Sequence, residues 1–223
     1  MITTPGGAIL LLSVISAIVH IPSVLSSPSY SRMVTKTAST ALLSALAYQG
    51  GGPLLLAGAL ALGSLGDAFL AWEGEGNFLC GLASFLTAHV LYVVLFAQSG
   101  GGKEQLLAET WRVGIATGFI VVLAPTMTAL LVPRVTKDLR LPIIAYTATI
   151  GAMVLTALTT DSQLVVAGAA LFTTSDAILA AEKFLVGSAS VHSPWMKYAV
   201  WVLYYSGQLL IALGLVFGGG VLE

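Results

Sequence analysis

Apolar stretches of about 20 residues follow one another along almost the whole chain, separated only by short polar or Gly/Pro-rich breaks. A helix needs roughly that length to cross a bilayer while satisfying its own backbone. The breaks are Ser26-Ser27-Pro28, Gly50-Gly51-Gly52-Pro53, Glu73-Gly74-Glu75-Gly76, 99–103, 133–140, Thr160-Asp161 and 187–193. They predict helices over 8–24, 34–48, 53–72, 77–97, 111–132, 141–159, 163–185 and 194–217, the second being the shortest. The expected fold is therefore all-α: a polytopic membrane bundle of about eight transmembrane helices. No linker is long enough to divide it, so 1–223 reads as a single transmembrane domain.

Composition supports the same class. The chain is 57% hydrophobic and 9% charged, where a soluble domain carries roughly 25% charged residues. Most of its surface must face lipid. A net charge of −1 with nine Lys and Arg offers no basic stripe for nucleic acid. Cys80, the single cysteine, excludes an intrachain disulfide. No Lys or Arg precedes the first apolar stretch, which reads as a retained helix and not as a secretory signal. Arg32, Lys36, Arg134, Lys137, Arg140, Lys183 and Lys197 fall on one face of the predicted bundle; Lys103 and Arg112 fall on the other. The positive-inside rule puts the first group in the cytosol and both termini outside or in a lumen. The membrane would be the endoplasmic reticulum in a eukaryote, or the inner or plasma membrane in a bacterium.

Two acids lie deep inside these stretches. Asp67 stands in Leu62-Gly-Ser-Leu-Gly-Asp-Ala-Phe-Leu-Ala-Trp-Glu73, and Asp176 in Leu171-Phe-Thr-Thr-Ser-Asp-Ala-Ile-Leu-Ala-Ala-Glu182. An intramembrane carboxylate costs several kcal/mol unless it is paired or hydrated, so it marks a functional site. Six of the twelve positions are identical. Chance similarity between Ala/Leu-rich helices supplies some identities, but composition does not supply the paired Asp and Glu. A four-plus-four duplication would give parallel repeats with the site at their interface, both carboxyl groups facing one cavity on the basic side.

Other polar residues sort by helical face. His89 shares a face with Phe85, Tyr92 and Phe96; Trp201, Tyr204, Tyr205 and Gln208 form a stripe expected to point toward the aspartates. His89 can equally serve as a hydrogen-bonded packing residue, the tyrosines as packing, and Lys36 as a snorkelling anchor. Trp72, Trp111 and Trp195 stand at helix ends as belt residues. Glu73, Glu75, Glu109, Asp138, Asp161 and His192 fall in solvated loops. No metal or nucleotide signature is present.

These residues resemble the eight-helix lysoplasmalogenases, the YhhN-like family. The resemblance covers nearly the whole chain. It is carried by Lys36, Gly66-Asp67-Ala68-Phe69-Leu70, the Phe85/His89/Tyr92 face, Gly168-Ala169-Ala170-Leu171-Phe172 before Ser175-Asp176, and Tyr205 with Gly207-Gln208. Thr37 departs from it, standing where the family has a proline after the lysine. The resemblance implies hydrolysis of the vinyl ether bond of lysoplasmalogens to a fatty aldehyde and a glycerophospho-headgroup.

That reaction suits two aspartates. Vinyl ethers hydrolyse by protonation at carbon, and water captures the resulting oxocarbenium ion; glycosidases meet the same cation with two carboxyl groups. Asp67 and Asp176 would divide into acid and base. His89, Tyr92, Tyr204, Tyr205 and Gln208 would orient substrate, water or the acids. Lys36, with Arg32, would hold a lysophospholipid's phosphate at the membrane surface, and its loss would weaken binding more than turnover. No cofactor is needed. A proton-coupled carrier also wants intramembrane acids and repeats. Leu65-Gly66-Asp67 is similar to the Gly-Asp element of presenilin-like intramembrane aspartyl proteases.

Overall fold

The computed structural model describes residues 4–218, and these are helical with short connections. Helices α1 (Pro5–His20), α2 (Tyr30–Gln49), α3 (Leu54–Leu70) and α4 (Glu75–Ser99) are followed by a short α5 (Gly102–Ala108). Then α6 (Thr110–Thr117) runs through a π-helical turn, Gly118–Leu123, into α7 (Ala124–Leu131). The last three are α8 (Lys137–Ala157), α9 (Gln163–Ala181), continued by a π-helical turn over Glu182–Val186, and α10 (Ser193–Val216). Taking α6 and α7 as one run gives the eight long helices expected. The addition is α5, which winds a stretch expected to be loop.

Six runs are long and apolar enough to cross a membrane: Pro5–Ser23, Glu75–Ser99, Thr110–Arg134, Lys137–Ala157, Gln163–Val186 and Ser193–Val216. Helix α3 is apolar but only 17 residues long, and α2 is long enough but rich in Ser, Thr and cations. Those two shorter or more polar helices are shielded by neighbours on both sides. The chain is a polytopic integral membrane protein. Its outward positions carry Leu12, Ile18, Val19, Val121, Val122 and Val202, each more than half or nearly half exposed, as a lipid-facing surface requires.

Local chemistry sets the helix ends. The Ser29 hydroxyl accepts from the Arg32 amide and starts α2 just after the Ser26-Ser27-Pro28 break. Ser162 does the same for α9. The chain reverses after α2 at Gly51, with φ +70°, a conformation that strains any side chain. First and last helices are tied by buried polar contacts: Ser13 on α1 donates to the Ser39 carbonyl and shares a 2.8 Å hydrogen bond with Tyr205. Trp201 donates to the Ala17 carbonyl.

Helices α9 and α10 touch backbone to backbone. A Cβ placed on Gly168 would lie 2.7 Å from the Gly207 carbonyl oxygen, and one on Gly207 would lie 2.8 Å from the Gly168 oxygen. Small residues permit this approach in membranes, where packing rather than water drives association. Because backbone cannot swing aside, Gly207→Ala is expected to cost about 1–3 kcal/mol through overpacking. Thermal unfolding in detergent should show a clear fall in Tm, whereas an unchanged Tm would contradict the close crossing.

The two acid segments share a burial pattern up to the acids, where Asp67 is buried and Asp176 only partly so. In the first acid segment Gly63, Ser64, Gly66 and Asp67 are buried and Leu65 is exposed; in the second Phe172, Thr173 and Ser175 are buried and Thr174 is exposed. Asp67 on α3 takes partners from α2 and α10, and Asp176 on α9 takes partners from α8 and α4. Numbering the eight long runs in order, these are the second and eighth, and the sixth and fourth. A parallel four-helix duplication predicts this exchange.

Candidate active site

Asp67 lies near the C-terminal end of α3, beside the first half of α2. Its side chain is 1% exposed. Tyr204 donates to Oδ2 at 2.7 Å and Thr40 donates to the same oxygen at 3.1 Å. Lys36 Nζ stands 3.3 Å from Oδ1, within ion-pair reach but not aligned as a hydrogen bond, so Oδ1 has no hydrogen-bond donor among the described residues. Lys36 is itself only 16% exposed. It reaches this depth because it lies one helical turn before Thr40 on the face that α2 turns to α3. The lysine expected at the surface as a phosphate ligand is thus turned inward as the counter-charge of Asp67. Arg32 is also engaged, donating from Nη1 to the Ala71 carbonyl at 3.0 Å beyond the end of α3.

Asp176 sits two turns before the end of the α9 run. Tyr146 on α8 donates to its Oδ2 at 3.0 Å. His89 Nε2 lies 3.3 Å from the same oxygen, again without hydrogen-bond alignment. The other ring nitrogen, Nδ1, is 2.7 Å from the Phe85 carbonyl, which can only accept, so Nδ1 carries a proton. In the neutral ring Nε2 then offers a lone pair to Asp176.

Asp176 opens on a cavity. The cavity is partly open and is bounded by α3, α4, the α6–α7 run, α8 and α9. Phe78, Leu82, Phe119, Met127, Ile143 and Ile150 make its wall apolar, and Asp176 and Tyr146 are its polar floor. Lys183, itself exposed, also lines the cavity. Asp67 does not line it. Leu70 and Phe85 do, and Phe85 packs edge-on against Tyr204 at 5.6 Å, with Phe172 at 6.3 Å. The single cavity expected to receive both carboxyl groups is therefore a cavity for Asp176, with Asp67 behind an aromatic wall. The large rings at Phe85 and Phe172 fill the space that would join the two centres. Gly66 makes room for that wall, because a Cβ there would lie 2.6 Å from the Phe85 ring.

The remaining sequence candidates divide. Tyr204 reaches an aspartate as expected. Tyr92 and Gln208 instead pair with each other, the phenol donating to Oε1 at 2.5 Å, and Gln208 Nε2 stays buried without a partner among the described residues. Tyr205 turns to Ser13 on α1, and Trp201 to Ala17 and His20. On a helix, neighbours such as Tyr204 and Tyr205 lie about 100° apart, so one stripe cannot aim all its members at one site. Sequence reasoning missed Tyr146 and Thr40. The offset between the two acid segments does not supply them, since Tyr146 precedes Asp176 by 30 residues and Thr40 precedes Asp67 by only 27. It also missed Arg112, buried and donating to the Leu158 and Thr160 carbonyls, and Glu182, which accepts from Ser193 beside Lys197.

Fold and site together define a class: a polytopic helical membrane protein with two acid–tyrosine centres between its helices, one buried and the other open to an apolar cavity. The chain belongs to the YhhN family, whose profile matches residues 31–215. Lysoplasmalogenase TMEM86B of Homo sapiens is 34% identical over 165 residues, covering 74% of this chain and 64% of the human protein. Lysoplasmalogenase TMEM86A of Bos taurus is 32% identical over 169 residues, covering 70% and 63%. Lysoplasmalogenase TMEM86B of Mus musculus is 28% identical over 177 residues, covering 79% and 70%. The chain spans less than two thirds of the length of the first two relatives. No solved structure matches it.

Proposed function

We propose that this protein is an integral membrane lysoplasmalogenase, hydrolysing the vinyl ether of a lysoplasmalogen to a fatty aldehyde and a glycerophospho-headgroup. The observation that carries this reading is the pairing of an acid with an apolar cavity: Asp176, held by Tyr146 and His89, lines a chamber otherwise walled mostly by hydrocarbon side chains. The names of the family's relatives point the same way.

In the proposed reaction the alkenyl chain lies along Leu82, Phe119 and Ile150, with its double bond at Asp176. The carboxyl proton passes to the second carbon of the alkenyl group, and the π electrons form that new C–H bond. The ether oxygen shares its lone pair with the first carbon, giving an oxocarbenium ion. Water adds to that carbon and loses a proton to the Asp176 carboxylate. The resulting hemiacetal breaks its bond to the glycerol oxygen, which takes up the hydroxyl proton, leaving aldehyde and alcohol. Tyr146 steadies the carboxylate after it has given its proton. Asp67, the second carboxylate, is neutralised by Lys36 behind Phe85 and Phe172, and through Tyr204 it holds the aromatic wall that positions the substrate. A carrier would want a hydrated path; this chamber is lined by side chains suited to a hydrocarbon.

The purified protein should release aldehyde from a vinyl-ether lysolipid and leave the saturated alkyl-ether analogue intact, since only the alkene accepts a proton at carbon. Failure to release aldehyde overturns the proposal. Isotopes test the order of bonds. In D2O the fresh aldehyde, trapped at once as an oxime, should carry one deuterium on the carbon next to the carbonyl. Aldehyde without that label would mean cleavage by another route.

A further inference from the structure

With Lys36 turned inward to Asp67, the cavity keeps one exposed cation in its lining, Lys183. Lys183 lies seven residues after Asp176, and both line the same chamber, as do Thr173, Ala177, Ala180 and Phe184. That i, i+3, i+4, i+7 recurrence is one face of α9 and its π-helical continuation. Lys183 is exposed, and its ammonium is seated 4.0 Å from the centroid of the Phe78 ring on α4. Its neighbouring carboxylate, Glu182, faces the other way and is occupied by Ser193 and Lys197. Lys183 therefore has no carboxylate partner among the described residues, yet is held in place by an aromatic face.

The spacing matches a molecule. Seven residues of helix rise about 10 Å. In a lysoplasmalogen, seven bonds separate the alkenyl carbon that takes the proton from phosphorus, and at roughly 1.2 Å per bond an extended chain spans about 8 Å. A lysolipid with its alkene at Asp176 and its tail toward Phe119 and Ile150 brings its phosphate to the Lys183 ammonium.

We propose that Lys183 is the phosphate-binding residue of the site, and that its spacing from Asp176 selects alkenyl glycerophospholipids over neutral alkenylglycerols. The inference rests on the lysoplasmalogenase reading, and its test has one arm that does not. In that arm, purified protein is titrated with a non-hydrolysable alkyl-ether lysophosphocholine and with the matching alkylglycerol, and binding is read by thermal stabilisation. The phosphate-bearing ligand should bind at least 10-fold more tightly to the wild type; Lys183→Met should abolish that preference, and Lys183→Arg should retain it. In the kinetic arm, Lys183→Met should raise KM for alkenyl lysophosphocholine at least 10-fold with kcat within about two-fold, and leave the alkenylglycerol unaffected. An unchanged ligand preference in Lys183→Met, or equal loss for both ligands, overturns the proposal and makes Lys183 an interfacial anchor. Headgroup-dependent binding that vanishes in Lys183→Met without any turnover would refute the hydrolase reading and leave the phosphate site standing.

Discussion

Asp176→Asn is expected to lower kcat for vinyl ether hydrolysis by roughly 100-fold or more, the usual scale for losing a positioned proton donor. The amide keeps the volume and can still accept from Tyr146, so folding should survive, with Tm shifted by only a few degrees. His89→Gln should fall the same way but less far, because it removes the imidazole that faces Asp176 and leaves the carboxyl group in the cavity. Asp67→Asn should also depress kcat while KM changes little, since Asp67 does not line the chamber. The comparison is made by steady-state kinetics on purified protein with thermal unfolding in parallel. If Asp176→Asn keeps more than about a tenth of wild-type turnover at full stability, the acid has been misassigned.

The second large effect concerns stability. Lys36→Met leaves Asp67 buried with its countercharge removed, and breaking a buried ion pair from one side costs about 3–5 kcal/mol. Lys36 is mostly shielded by its neighbours, so solvent cannot take over its part. The single variant should unfold many degrees below wild type or fail to be recovered from the membrane. Lys36→Met with Asp67→Asn removes both charges together and should recover most of the lost Tm, even though it is inactive. A double-mutant cycle measures the coupling. Were Lys36→Met as stable as wild type, the pair would be open to water and Lys36 would be free to serve a headgroup after all.

Hydropathy, charge placement and the matching acid segments already contain the helix count, the approximate ends and the frame that Asp67 and Asp176 share. Each of these is local. An apolar stretch must be helical in lipid because its backbone has no water to bond to, and a serine before or a glycine after it marks an end. The short α5 is the exception. Its Gly101-Gly102-Lys103-Glu104 start reads as loop, and only the structure shows the chain turning back into helix.

The division of labour among the polar residues was decided elsewhere. A sequence reports how deep a side chain lies along its helix, and says much less about the direction in which it points. Lys36, Tyr205 and Gln208 have suitable depths for an active site, yet face Asp67, Ser13 and Tyr92. Tyr146 looks like one more aromatic residue in an apolar helix until α8 is packed against α9. By itself the sequence determined a multi-pass bundle, with two acids in equivalent places that could not remain unpaired. Tertiary structure alone decided that Phe85 and Phe172 keep those acids apart, and that just one of them meets the cavity. The reason is geometric: each wall is built from helices remote in sequence, and their rotation about their own axes is settled only when the rings pack.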